Sequence, residues 1–140
     1  MSDSNIRSVQ LTWDSSLRFT GGAPGGPEIT VDADGETAPG PMAMLLIAAG
    51  GCTGADVVSI LRKMQVDLRR CDISVTGERA TDHPRRYLTM HYRFLLEGGG
   101  LDEAKARRAI DLSIEKYCSV RHTLNPDIPV TYEVEVVAGR

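Results

Sequence analysis

The sequence predicts an α+β domain, and three observations carry that prediction. A long apolar run, Met42 to Ala49 continuing through Val57, Val58, Ile60, Leu61 and Met64, has the length and character of a buried helix. Segments on either side alternate apolar and polar residues with the period of a strand: Val9, Leu11 and Trp13 before it, and Cys71, Ile73 and Val75 then Leu88, Met90, Tyr92, Phe94 and Leu96 after it. A second helical spacing at Ala106, Ala109, Ile110 and Ile114 precedes a last alternation at Val130, Tyr132, Val134 and Val136. The order is therefore N-terminal antiparallel strands, long central helix, β-hairpin, second helix and closing strand. At 140 residues this is a single domain, 1–140, with no internal repeat or low-complexity tract.

Each element has a local reason. Leu17-Arg18-Phe19 and Ile29-Thr30-Val31 are short strands parted by the turn-rich Gly21-Gly22-Ala23-Pro24-Gly25-Gly26-Pro27, so the N-terminal part reads as a meander. Asp32 to Pro41 is a Gly/Pro/acid-rich connection, and Pro41 suits a first helical turn, where its missing N–H has no partner to lose. The central helix is predicted from about Met42 to Gln65. Its first half is apolar on every face, which calls for protein on all sides. One small sheet covers one side only, so a second subunit is expected on the other, in an intertwined homodimer. Thr81-Asp82-His83-Pro84 joins the two long strands, and Gly98-Gly99-Gly100 ends that hairpin. A helix with an acidic first turn is predicted over Asp102 to Tyr117, and Asn125-Pro126 breaks the backbone before the final strand.

A net charge of -3 argues against a nucleic-acid partner or an anionic membrane surface, which favour a basic face. The apolar run is interrupted by glycines, followed by charges, and falls short of the ~20 residues of a membrane span. The first residues, Met1-Ser2-Asp3-Ser4-Asn5, lack a signal-peptide pattern, so a cytoplasmic location is expected. Three cysteines without scaffold spacing fit reduced thiols there.

The chemistry sits in those cysteines. Cys71 shares its strand phase with Ile73 and Val75 and reads as a small core side chain without a role. Cys52 lies among Gly50, Gly51 and Gly54, and helix-interior glycines cost roughly 1 kcal/mol each against alanine, so they need a reason. Close helix-helix packing at a dimer interface and a reactive thiol both supply one. Cys118 stands where the second helix ends, followed by Arg121 and His122, either of which could hold a thiolate by charge; packing under Asn125-Pro126 is the alternative. Cys118 and His122 lack the further ligands or orienting carboxylate of a metal site or a nucleophile-base pair. Gly51-Cys52-Thr53-Gly54 matches the GxxG loop of KH nucleic-acid domains in form, but without basic flanks. The glycine cluster before Pro27 lacks the lysine of a phosphate loop.

Pro41 with the run Met44 to Cys52, the Ala49-Gly50-Gly51-Cys52 approach to the first thiol, and Tyr117-Cys118-Ser119-Val120 resemble the two cysteine motifs of the OsmC/Ohr family, the osmotically inducible and organic hydroperoxide resistance proteins. The element order is similar to that family's over nearly the whole chain. The resemblance implies an intertwined homodimer with two equivalent sites and an antioxidant, stress-response role. It also implies thiol-dependent reduction of organic hydroperoxides by an external thiol or dithiol, with no metal, haem or flavin cofactor. Carried onto this sequence, Cys52 is the peroxidatic thiol and Cys118 the resolving one. The family's thiolate-stabilising arginine comes from the N-terminal strands, where Arg18 is the equivalent by position along the fold. The family's glutamate after the helix-leading proline is absent: Met42, Ala43 and Met44 offer no carboxylate. Two other readings stand beside the peroxidase: an OsmC-like binding protein whose pocket, lined by residues such as Met42, Met44 and Leu46, holds a small hydrophobic ligand, and a KH-like nucleic-acid module.

Overall fold

The computed structural model describes residues 5–138. It is α+β, as expected, and divides into two compact units whose boundary, Leu45 to Leu46, falls inside the central helix. In the first unit β1 (Gln10–Ser15), β2 (Arg18–Gly22) and β3 (Glu28–Asp32) form an antiparallel sheet in sequence order, with Trp13 opposite Phe19 and Phe19 opposite Val31. The expectation of a buried face on the first strand is corrected: every residue of β1 is exposed, Leu11 at 56% and Trp13 at 63%. β1 is an edge strand of a three-stranded sheet, and the single chain leaves its apolar side chains open.

After β3 the chain turns on Asp32. Its buried carboxylate accepts the N–H groups of Asp34, Glu36 and Thr37 and the Thr37 hydroxyl at 3.0 to 3.2 Å. These donors, the Thr37 amide first, hold the carboxyl below its ordinary range against the opposing effect of burial.

The central helix α1 runs Pro41–Lys63 and starts at Pro41 as the sequence indicates. It ends two residues short of Gln65, which takes a left-handed φ of 65°. One face, Ala49, Gly50, Thr53, Gly54, Val57 and Leu61, is buried at helical spacing. The single chain does not enclose the helix on all sides, since Leu45 is 37% and Ile47 56% exposed. At 23 residues, with an 18-residue stretch of mean hydropathy 1.8, α1 is by length and composition long and apolar enough to cross a membrane, contrary to the expectation that it falls short. Its buried face instead packs as a core helix does, on the second sheet.

That sheet belongs to the second unit. β4 (Asp67–Arg79) and β5 (Tyr87–Gly99) form a long antiparallel hairpin, and β6 (Val130–Ala138) lies parallel beside β5, giving the order β4-β5-β6. The central strand buries Met90, Tyr92, Phe94 and Leu96, as the alternation predicts. Leu88 departs from that pattern: a register shift opposite Glu78 and Arg79 skips it, so it is 40% exposed and Tyr87 is buried instead. Phe94 stacks on Tyr92 and meets Tyr132 edge-on.

The predicted helix over Asp102 to Tyr117 is three pieces. α2 (Glu103–Leu112) begins on Asp102, whose carboxylate caps the Lys105 N–H at 2.8 Å. A π turn follows over Ser113–Tyr117, closed by a 2.7 Å bond from the Cys118 N–H to the Ser113 carbonyl. Cys118 then leaves helical geometry, with ψ 102°, and caps the short α3 (Ser119–Thr123).

Two glycines allow α1 to lie on β4. A Cβ on Gly50 would stand 3.0 Å from Val75 Cγ2, and one on Gly54 would stand 2.9 Å from Ile73 Cδ1, whereas one on Gly51 would meet nothing within 4 Å. Gly50 and Gly54 thus serve close helix-sheet approach within the single chain. Gly54→Ala gains ~1 kcal/mol of helix propensity but must displace Ile73, and overpacking costs roughly 1–3 kcal/mol. We expect a net loss of up to ~2 kcal/mol in urea unfolding, relieved by at least ~0.5 kcal/mol when Ile73→Val removes the clashing methyl. If Gly54→Ala delivers the full propensity gain in the parent chain, the close approach is wrong.

A candidate redox site at Cys52 and Cys118

Cys52 sits on α1 beside the buried face and is half-buried; Cys118, between the π turn and α3, is fully buried. The second unit brings Cys52 near enough to Cys118 to act on the ionisation of the Cys118 thiol. Cys118 Sγ accepts the Arg121 N–H at 3.3 Å. Burial pushes the Cys118 thiol above its ordinary value; the Thr53 hydroxyl and the Arg121 amide favour its thiolate but do not offset that burial, and the neighbouring Cys52 adds to the rise.

The sequence offered the Arg121 and His122 side chains as cationic partners for this sulfur, and the structure assigns them elsewhere. The Arg121 guanidinium donates to the carbonyls of Asn125, Pro126 and Ile128 at 2.9 to 3.5 Å, tying down the loop before β6, so the backbone amide meets the sulfur instead. His122 is exposed.

Under the thiols lie two hydroxyls that sequence reasoning did not single out. Thr53 and Tyr92 are both fully buried. Thr53 Oγ1 adjoins the Cys118 sulfur and the Tyr92 hydroxyl, yet neither hydroxyl completes a hydrogen bond of normal geometry. Burial, first among several influences that include both thiols, raises the Tyr92 phenol, so it stays protonated.

A second unanticipated pair joins the two thiol-bearing segments. Asp56, one turn beyond Cys52, accepts the hydroxyl of the buried Ser113 at 2.9 Å, and Ser113 also holds the Cys118 N–H through its carbonyl. The i, i+4 spacing of Cys52 and Asp56 was the available sequence signal; Ser113 offered none.

Cys71 is half-buried on β4, short of the core position expected. It lines an apolar groove with Leu46, Ile47, Gly50, Gly51 and Ile73, because the glycines have no side chains to cover it. Burial and then the charge of Asp72 raise its thiol above the ordinary value. Leu46 lines this groove; Met42 and Met44 are not among the residues lining it. Arg18, on β2 in the first unit, donates from Nη2 to Ser15 Oγ at 2.8 Å. No acidic residue occupies the first turn of α1, in keeping with the missing glutamate. The Gly51-Cys52-Thr53-Gly54 tetrapeptide lies within helix α1, so it is not the loop a KH module requires. Among the described residues no group of three or more His, Cys, Asp or Glu is placed to hold a metal ion.

Residues 33–133 match the OsmC family, described as OsmC-like protein. The chain belongs to the OsmC-like family. Protein YhfA of Escherichia coli strain K12 is 42% identical over 132 residues, covering 94% of this chain and 98% of YhfA. Among solved structures, a hypothetical protein from Aquifex aeolicus VF5 superposes with a TM-score of 0.82 at 30% identity, covering 95% of this chain and 98% of that one. The organic hydroperoxide resistance protein OhrB of Bacillus subtilis is more distant, with a TM-score of 0.61 at 13% identity over 91% of this chain and 98% of its own, and shows shared fold alone.

In this OsmC-like protein the Asp56-Ser113 bond should contribute measurably to stability. Ser113→Ala leaves a half-buried carboxylate without its donor, and we expect a loss of roughly 1–3 kcal/mol in chemical denaturation. Unchanged stability would show that the bond does not tie α1 to the π turn.

Proposed function

We propose that this OsmC-like protein is a homodimeric, thiol-dependent peroxidase that reduces organic hydroperoxides through Cys52 and Cys118. The observation that carries this reading is the pairing of two free thiols in one unit with unequal exposure. A hydroperoxide must reach the first sulfur, which suits the half-buried Cys52. The resolving sulfur must reach only Cys52, which suits the fully buried Cys118. Family membership and the likeness of fold to OhrB support the same assignment.

In the proposed cycle the Cys52 thiolate attacks the outer peroxide oxygen. The O–O bond breaks, the alcohol leaves with a proton, and Cys52 becomes a sulfenic acid. Cys118 then displaces hydroxide from that sulfur, which leaves as water, and an S–S bond joins the two cysteines. An external dithiol restores both thiols by exchange and leaves as its own disulfide. Arg18 is the proposed cation for the Cys52 thiolate, from its place on β2. The protein is proposed to act in the cytoplasm as part of a peroxide stress response.

The homodimer is proposed on the apolar surface a single chain leaves open: Leu11, Trp13 and Phe19 on the first sheet and Ile47 on α1. A second copy on the α1 groove competes with the ligand-binding alternative, and the apolar side chains left open on the first sheet as well as on α1 favour it. Sedimentation should give roughly twice the monomer mass at micromolar concentration, and a stable monomer would count against it.

The two thiols should fail differently. Cys52→Ser should abolish consumption of an organic hydroperoxide, while Cys118→Ser should consume one equivalent per site and leave a sulfenic acid that a dimedone-type reagent captures. If both variants consume peroxide like the parent, the ligand-binding reading replaces this one. In the parent, Cys118 ionises above the ordinary thiol range, so its thiolate fraction climbs as pH rises through neutrality. Disulfide closure followed by rapid quench should therefore accelerate about tenfold per pH unit from pH 6 to 8; a flat profile would place the resolving thiol elsewhere.

A further inference from the structure

Thr53 holds an unusual position for a helical threonine. Such a hydroxyl ordinarily bonds back to a carbonyl three or four residues earlier. The Thr53 hydroxyl has no such bond, although the side chain is fully buried. A buried hydroxyl without a partner costs roughly 1–3 kcal/mol and calls for an explanation in the chemistry around it. Its neighbours supply one: it follows Cys52 directly, faces the Cys118 sulfur, and adjoins the Tyr92 hydroxyl, which also lacks a partner.

We propose that Thr53 is a positioning donor for the resolving step, its hydroxyl turning onto Cys118 Sγ when that sulfur ionises and holding it toward Cys52. The proposal rests on the peroxidase reading for the reaction, though not for the contact itself. In that turned state the protonated Tyr92 would donate to Thr53 Oγ1 and leave the threonine proton free for the sulfur. The Arg121 amide, already on Cys118 Sγ at 3.3 Å, is the second donor to the same anion. With both in place the Cys118 thiolate attacks the Cys52 sulfenic sulfur: the S–S bond forms, the S–O bond breaks, and the departing hydroxide takes up the proton Cys118 released. The Cys118 sulfur is oxidised and the Cys52 sulfur reduced, with water as the only other product. The donor matters because burial opposes this thiolate, and the Thr53 hydroxyl is the side-chain group that favours it most.

Three variants test the assignment. Thr53→Val keeps the shape and removes the hydroxyl, Thr53→Ser restores the hydroxyl without the methyl, and Thr53→Ala replaces the valine variant if that one does not fold. With one equivalent of tert-butyl hydroperoxide, Thr53→Val should form sulfenic acid at the parent rate but close the disulfide about tenfold more slowly, and Thr53→Ser should close within about twofold of the parent. In a Cys52→Ser/Cys71→Ser background, where Cys118 is the sole thiol, absorbance of the thiolate should titrate about one pH unit higher with Thr53→Val and return with Thr53→Ser. That titration needs no peroxide, so it decides the donor role even if the parent chain proves not to be a peroxidase. An unshifted titration, or equal slowing by valine and serine, would overturn the proposal.

Discussion

The close seating of α1 on β4 is the constraint on which the rest of the second unit depends. Two missing side chains permit it, at Gly50 and Gly54, where a Cβ would press on Val75 and Ile73. The same face of α1 carries Thr53, so the seating that the glycines allow also drives Thr53 under the sheet toward Tyr92. Cys52 then projects beside that face, where the segment after α2 can reach it. The helix-propensity penalty of the glycines is the cost of seating α1 closely on β4.

The second placement problem concerns Cys118, and a break in regular structure solves it. A continuous helix from Asp102 to Tyr117 would carry its last turn straight on. The π turn instead absorbs one extra residue per bond, closes on Cys118 through Ser113, and lets the chain reverse into α3. Ser113 serves twice, through its carbonyl to Cys118 and through its hydroxyl to Asp56 on α1. The three thiols consequently occupy three settings. Cys52 is partly open, Cys118 is closed off and supplied with donors, and Cys71 is raised by burial and by the neighbouring Asp72 carboxylate. Those differences give the pair its selectivity in the proposed chemistry.

Much of this fold was legible because its signals are local. The period-two alternation of Met90, Tyr92, Phe94 and Leu96, the proline at the start of α1 and the acidic cap of α2 each act within a few residues. The sequence reading failed where long-range geometry decides. The bulge at Leu88 reflects pairing with a strand ten residues upstream, and the π turn reflects a bond chosen by the tertiary position of Ser113. The exposed face of β1 has an amphipathic pattern that a single chain does not bury. At the site, the sequence singled out Cys52 and Cys118 from their glycine and cation context, and the structure brings the two near each other. The side-chain role given to Arg121 is corrected, because its guanidinium is drawn to three carbonyls. Thr53, Tyr92 and Ser113 were invisible, since a buried hydroxyl has no sequence signature that separates it from an exposed one.

The central claim is that the fold pairs Cys52 with Cys118 and leaves Cys71 aside. Peptide mapping of the full chain under non-reducing conditions, after one equivalent of an organic hydroperoxide, tests it most directly. The account predicts one linked peptide pair, joining Cys52 to Cys118, with Cys71 recovered as a free thiol. A Cys52–Cys71 link, or three free thiols at that peroxide dose, would contradict it.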